Sequence, residues 1–565
     1  KDIRIIADGV ILKTNTHGQG ILELQNCENV VIEGLKTKGV GTFPQLDGNT
    51  GRGEKGTSTE GYNTIGFWGY YKNNSLNTSE NTSGGDVPKP WGTYEGGFIG
   101  NAGFGVLIQG CKNVTFKHCE SEGFNYAGFG VGFWGDKHFP PSENIIFDNC
   151  YGHDNYQSNF YVTSSEGYRL INSTSERAGH PNAQPLSDKR QDPGYGFMST
   201  GIKEMIAKDV TVRDNRFTDC VRKGIDFHAG IGVKVVNNYV NNCYASGIFA
   251  AYSSPDQPTK DVIIDGNTVE RCGLTSLGAI YVEGLIDSSY SKENIYLNAT
   301  IVNNTIRKCG CRLIYSRTFD KLTIKDNMLE DVDPRDLSQS IIGIYLGRNN
   351  EQQSYNVNVS DNVLTDKSGK ISVGMQLGNI NDGIIARNKI ELTSTQQSAG
   401  IYVTHETGVN IVDNVVEVNK GRSYAISQVL GRVAGNSFKG GDLINIYPSH
   451  GKLGVESHLL VTANEGDGDV TILAGDSIID RVESVSQGIR VWLKDVPQNI
   501  IPSVVYRNGG SVPLSTLSKI PIEYLYEREV SYTQVIIGIK LTNESSGHTA
   551  FNLLGSGVLK ISISV

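Results

Sequence analysis

The chain has 565 residues and a formal net charge of -9, with 51 Lys and Arg against 60 Asp and Glu. Such a balance argues against a nucleic-acid or anionic-membrane partner, and an acidic polymer would need local basic residues to bind. Gly is abundant at 67 residues, Met scarce at 4, Tyr frequent at 26, and no run of about 18 apolar residues marks a membrane span.

The chain opens inside what reads as a strand, Ile3-Arg4-Ile5-Ile6, with no initiating Met and no signal peptide, as expected of a fragment or a processed product. Residues 1–43 hold one or two units of a repeat, with Asn29-Val30-Val31-Ile32 as a strand. Residues 44–98 break it. They are rich in Gly, Asn, Thr and Ser and carry Phe67, Trp68, Tyr70, Tyr71, Trp91 and Tyr94. A long insertion with that many aromatics is expected to be an ordered flap. The repeat resumes at Asn113-Val114-Thr115-Phe116 and Asn144-Ile145-Ile146-Phe147, and a second insertion at 178–194 holds His180, Asp188, Lys189, Arg190 and Asp192.

From residue 210 the repeat is clear. A short apolar strand is followed by an Asx-Asn or Asn-Asn step and then by a Gly-led second strand. The step Asn recurs at Asn215, Asn238, Asn267, Asn304, Asn327, Asn362, Asn388, Asn414 and Asn436, at intervals of about 22 to 37 residues. Strands such as Val233-Lys234-Val235-Val236 precede it, and strands such as Gly224-Ile225-Asp226-Phe227-His228 and Gly247-Ile248-Phe249-Ala250 follow. The second strands alternate with a period of two, Ile and Val inward and the residues between them outward. Units this short cannot form four-stranded propeller blades, and they lack helix formers. They fit one coil of a parallel β-helix, with the step Asn stacked at a corner. The fold expected is therefore all-β: a right-handed parallel β-helix over 1–450, its hand set by the rule for parallel crossovers. The repeat stops near Asn445. Beyond about 455, strands such as Val470-Thr471-Ile472-Leu473, Ile489-Arg490-Val491-Trp492-Leu493 and Val535-Ile536-Ile537-Gly538-Ile539 are spaced differently. They predict a separate, mostly antiparallel β domain over 455–565.

Of the nine Cys, six (Cys119, Cys150, Cys220, Cys243, Cys272 and Cys309) read as occupying one position, the turn after the first strand. One Cys per coil is the mark of a buried corner ladder rather than of a disulfide or metal framework. Cys309 and Cys311 are also too close for a CxxC metal knuckle. Such usage points to synthesis in a reducing compartment.

Aligning the second strands lays out two outward columns. The first reads Gly132, Tyr161, Met198, Asp226, Phe249, Tyr281, Tyr315, Tyr345, Gln376 and Tyr402, and the second Trp134, Thr163, Thr200, His228, Ala251, Glu283, Arg317, Gly347, Gly378 and Thr404. A stripe of rings suits a polysaccharide groove, because flat rings stack on sugar faces. Trp134, Tyr161, Phe249, Tyr281, Tyr315, Arg317 and Tyr345 are the candidate substrate contacts; the alternative is that a loop or a neighbouring subunit covers the rings. Asp226 and His228 share a strand and a face, and Glu283 lies two coils on, offset by about 10 Å across strands and 7 Å along them. Side chains reaching toward each other would bring the carboxyls within the roughly 6.5–9.5 Å used in inverting glycoside hydrolysis. Asp226 and Glu283 are thus the candidate catalytic pair. The bland alternatives are a Glu283–Arg317 surface ion pair and an Asp226 held by His228. Asp136, Asp154, Glu176, Asp188 and Asp192 are rival carboxylates. No cofactor is called for, and no Gly-Gly-x-Gly-x-Asp calcium repeats occur.

The β-helix with Asn-marked turns, a loop-interrupted start, aromatic-lined coils and a terminal β domain resembles bacteriophage tailspike depolymerases of the pectate-lyase-like superfamily, over 1–450. That resemblance implies a homotrimer at the virion tail that binds and cleaves a bacterial capsular or O-antigen polysaccharide at the host surface. It leaves open whether the site lies within or between subunits. Gly224-Ile225-Asp226-Phe227-His228 is also similar to the Asp-Pro-His strand of alginate epimerases and related lyases, with Phe227 in place of the Pro and Ala229 where an acidic residue follows the His. There the pair lies at the uronate, which would make His228 the base of an elimination, with Arg317 neutralising the substrate carboxylate. A non-cleaving glycan adhesin is the third reading.

Overall fold

The computed structural model describes residues 2–439 except 15–19, 40–70, 73–74, 77–102, 125, 133–138, 156, 180–193, 221, 274–277, 286–295, 334–340, 348–352, 395–397, 405–406, 420, 427–432 and 435, and beyond them eight strands between Glu456 and Ser564. Apart from two short paired strands, Tyr71–Lys72 and Ser75–Leu76, the insertion at 44–98 lies outside these residues, as does most of the one at 178–194. The chain divides into two compact units, one of 1–321 with 332–339 and one of 322–331 with 340–565.

In the first unit each coil contributes one strand to each of three parallel sheets, as in a right-handed β-helix. One coil runs Thr211–Arg213, Arg216–Thr218, Lys223–Phe227, and the next runs Gly230–Val236, Tyr239–Asn241, Ser246–Ala251. Their registers are Thr211 with Lys234, Arg216 with Tyr239, and Ile225 with Ile248. Alternation sends Val212, Val235 and Ile264 inward from the first sheet and Ile225, Ile248 and Ile280 inward from the third, all essentially inaccessible. The earlier coils fill the same space with stacked rings, Phe129 on Phe160 at 5.2 Å and Phe116 on Phe147 at 5.4 Å.

The repeated step is the first corner. Asp214, Asn237, Gly266 and Asn303 take left-handed φ values of 57, 53, 65 and 56°. Asn, Asp and Gly tolerate that region best, so the chain turns there at least cost. The next residue, the buried ladder Asn, accepts from the Asn one coil earlier. Asn215 Nδ2 donates to Asn238 Oδ1, Asn238 to Asn267, and Asn267 to Asn304, each at 3.0 Å. The same Nδ2 groups cap carbonyls of the preceding coil, Asn238 that of Val212 and Asn267 that of Val235. The ladder extends upward in smaller residues: Cys150 N donates to Ser173 Oγ, and Ser173 N to Asn215 Oδ1.

The six aligned cysteines therefore occupy two corners rather than one. Cys119 and Cys150 stand where later coils have Asn, after the first-sheet strands Lys112–Lys117 and Ser142–Asp148. Cys220, Cys243, Cys272 and Cys309 stand after or at the end of second-sheet strands. The nine thiols are free, and backbone N–H groups of Cys243 and Cys272 donate to the sulfurs of Cys272 and Cys309. Leading glycines have a steric cause. A Cβ on Gly224 would lie 2.4 Å from Val240 Cγ1 and 2.8 Å from the Gly247 carbonyl oxygen.

In the second unit the strands Ile342–Leu346, Val373–Gly378, Ser398–Thr404 and Gly421–Ile426 pair in parallel. Its ladder continues from Asn327 through Asn362, Asn388 and Asn414 to Asn436. The strands from Glu456 onward pair antiparallel in two four-stranded sheets.

Candidate active site

The third sheet of the first unit carries the candidate residues apart from Tyr345, which lies on Ile342–Leu346 of the second unit, and Trp134. Met198 pairs with Asp226, Asp226 with Phe249, Phe249 with Tyr281 and Tyr281 with Tyr315. Ala251 pairs with Glu283 and Glu283 with Arg317. Both columns thus run as expected through these coils. They slip by two residues at the start, where Gly130, not Gly132, pairs with Tyr161. Gly132 therefore takes the place in the second column expected for Trp134, which, like Asp136, Asp188 and Asp192, lies outside the described residues.

The strand Lys223–Phe227 builds a charged centre at one end. Asp226 is completely enclosed, and both its oxygens are engaged. Lys223 Nζ donates to Oδ1 at 2.7 Å, and His228 Nδ1 donates to Oδ2 at 2.5 Å. The Lys223 ammonium is itself buried and sits 3.1 Å from the centre of the Phe249 ring. Only His228 keeps side-chain exposure, 27%. Its ring lies between Tyr195, edge-on at 6.3 Å, and Phe249 at 5.4 Å. Arg222 also lies against the Tyr195 ring, its guanidinium carbon 5.3 Å from the ring centre. Among the described residues Arg222 makes no ion pair.

Burial and charge oppose each other here. Burial alone would raise the Asp226 carboxyl, but His228 and Lys223 outweigh it and hold its pKa below the usual carboxylate range. Burial pulls Lys223 down to about 8 even though Asp226 works against the shift. Burial, helped by Lys223 and Arg222, also sets His228 below an ordinary histidine despite its carboxylate partner. The result is an anionic Asp226 and a neutral imidazole whose Nδ1–H is fixed and whose Nε2 carries the lone pair.

Glu283 and Arg317 are tied to each other, Nε to Oε2 at 2.9 Å and Nη2 to Oε1 at 3.0 Å, with little of either exposed. The ion-pair alternative is therefore what the structure contains. The aromatic column forms a packed stack: Phe249 and Tyr281 lie 4.8 Å apart and nearly parallel, and Tyr281 meets Tyr315 edge-on at 4.9 Å. Exposure is 9% for Phe249, 4% for Tyr281 and Tyr315, 9% for Tyr345 and nil for Tyr161, which packs on Phe104 and Tyr126. The rings are covered, so an open ring platform is absent from these coils.

Lys223, Arg222 and Tyr195 were not among the sequence candidates. Strand alternation assigns Lys223 to the inward set with Ile225 and Phe227. It escapes because the chain is still leaving the corner there: the N–H groups of Arg222 and Lys223 both reach the Gly194 carbonyl, at 3.0 and 3.2 Å. The visible signal was a Lys three residues before an Asp beside a His.

The described residues hold one cluster with metal-ligating spacing, Glu122, His153 and Asp154 on the second sheet. Its carboxylates are already taken. Lys38 pairs with Glu122 at 2.5 Å and Arg177 with Asp154 at 2.7 Å, while His153 Nδ1 reaches Asp154 at 2.6 Å.

Residues 98–294, a little over a third of the chain, match the family described as right handed beta helix region. No curated protein shows significant sequence similarity. Among solved structures, the chain is similar to the Dettilon tailspike protein at 11% identity, covering 100% of this chain and 86% of that one with a TM-score of 0.39. It is also similar to the tailspike protein of E. coli bacteriophage HK620 in complex with a pentasaccharide, at 8% identity, 99% and 86% coverage and a TM-score of 0.39. A third is the A-module of the Azotobacter vinelandii mannuronan C-5 epimerase AlgE6, at 12% identity, 73% and 87% coverage and a TM-score of 0.35. At these identities the likeness is one of fold.

Proposed function

We propose that this chain is a tailspike-type depolymerase that binds and cleaves a bacterial capsular or O-antigen polysaccharide, and that cleavage is a β-elimination at a uronate with His228 as base. One observation carries the chemistry: the enclosed Asp226 spends one oxygen on Lys223 and the other on His228, leaving the imidazole as the group that faces outward. The expected carboxylate pair is poorly suited to hydrolysis. A general acid must stay protonated, whereas Asp226 is held ionised and Glu283 is bound to Arg317.

In the elimination, His228 Nε2 takes the proton from C5 of the uronate. The electron pair forms the C4–C5 double bond, the C4–O bond breaks, and the leaving oxygen takes a proton from solvent. Arg317 is occupied by Glu283, so Arg222 is the cation on hand for the substrate carboxylate. The antiparallel tail, which adds β surface beyond the coils, supports assembly as a homotrimer at the virion tail.

Purified surface polysaccharides from a strain panel test this reading. The wild type releases reducing ends together with an ultraviolet-absorbing unsaturated product, and His228→Gln lowers both by at least about 100-fold. Reducing ends without absorbance mean hydrolysis and overturn the assignment of His228. Binding with neither signal means an adhesin.

A further inference from the structure

We propose that Lys223 is a positioning residue for His228: its ammonium neutralises and orients the enclosed Asp226, so that the carboxylate fixes the imidazole without drawing a proton onto it. The inference rests on the site reading above for its meaning, but its test needs no substrate.

A carboxylate with no solvent contact requires a counter-charge, and two groups touch this one. If His228 alone faced Asp226, the histidine would supply the charge by staying protonated, and an imidazolium has no lone pair with which to take a proton. Lys223 removes that demand. Its Nζ lies 2.7 Å from Oδ1, opposite the oxygen that His228 uses, and its other side rests on the Phe249 ring at 3.1 Å. The geometry therefore separates holding from charging: Asp226 holds the imidazole, and Lys223 balances Asp226.

Among the described residues, the surroundings of His228 hold little else that would do this. Its own strand offers Asp226 and Lys223, and Arg222 enters just before them. The strand Tyr195–Ser199 offers the Tyr195 ring, and Ser246–Ala251 offers the Phe249 ring. Glu283 lies two strands away, reached through Ala251, and is paired with Arg317.

Diethylpyrocarbonate acylates neutral imidazole, so its rate at His228, followed against pH by peptide mass spectrometry, reports the His228 midpoint. In the wild type that midpoint falls below an ordinary histidine. Lys223→Met raises it by about one pH unit or more, and Lys223→Arg, which keeps the charge, returns it to within a few tenths of wild type. Asp226→Asn covers the case in which Lys223→Met does not fold. With Lys223 left unbalanced, its His228 midpoint drops below wild type. An unchanged midpoint in folded Lys223→Met, or an unchanged or raised one in Asp226→Asn, overturns the proposal. Loss of polysaccharide cleavage alone bears on the elimination reading and leaves these midpoints untouched.

Discussion

At the scale of single residues, the centre around Asp226 makes a pH prediction. His228 must be neutral to act as base, and it titrates below an ordinary histidine, so activity rises with pH through a limb below about 6.5. Lys223 loses its proton near about 8, and with it goes the balance that holds Asp226, so activity falls again on the alkaline side. A pH–rate profile on a cleaved polysaccharide checks both limbs. The second-sheet cluster predicts a different dependence, in stability. Burial opposes the Asp154 carboxylate, but Arg177 and His153 outweigh it and lower its pKa to about 2. A depressed carboxylate stabilises the fold above its unfolded pKa and loses that contribution as pH falls through the folded one, so the loss runs from about pH 4 to about pH 2. His153 has the opposite sign. Burial disfavours its charge, yet Asp154 and Glu120 raise its pKa above the ordinary value, so its contribution is complete below about 6.5 and lost as pH rises further. Thermal melts of wild type and Asp154→Asn across this range should differ near neutrality and converge in acid.

At the scale of the element, the corner ladder does the most for the least sequence. Asn267 accepts from Asn238 N and Nδ2 at 2.9 and 3.0 Å and donates to Val235 O, Asp265 O and Asn304 Oδ1. Asn267→Ala removes a buried side chain that several backbone groups depend on, and should cost about 3 kcal/mol or more. Lys234→Ala, at an exposed side chain in the preceding coil, should stay within about 0.5 kcal/mol. Unfolding midpoints of the two variants make the comparison. Gly224→Ala addresses the site as well as the fold. The added methyl must push on Val240 or on the Gly247 carbonyl one residue from Lys223, so both melting temperature and His228 reactivity should change.

At the scale of the whole molecule, the tailspike reading predicts three chains per particle by light scattering. A single-chain mass would refute the trimer without touching the chemistry at His228. Charge is distributed to the same end: the chain is acidic overall at -9, yet Arg222, Lys223 and His228 gather around one carboxylate. With Lys223 balanced by Asp226 and His228 neutral, Arg222 is the positive charge that the proposed reading offers a uronate there.

The repeat, its first- and third-sheet strands and the antiparallel tail were legible because each rests on local chemistry repeated many times, whereas the short second-sheet strands such as Arg216–Thr218 and Tyr239–Asn241 were not. An Asn that caps its own coil, a left-handed residue before it and an alternation of period two all leave marks on neighbouring residues in sequence. The pairing of Asp226 with His228 was legible for the same reason, since two residues apart on a strand share a face. What tertiary structure decided was burial and partnership across the fold. Nothing in the order of residues shows that the Tyr281 and Tyr315 rings are covered, or that Cys150 and Cys243 stand at different corners. Nor does it show that Lys223, assigned inward by alternation, turns at a corner to meet Asp226. Those outcomes depend on where successive coils bring their corners and loops, and the local pattern carries no record of that distance.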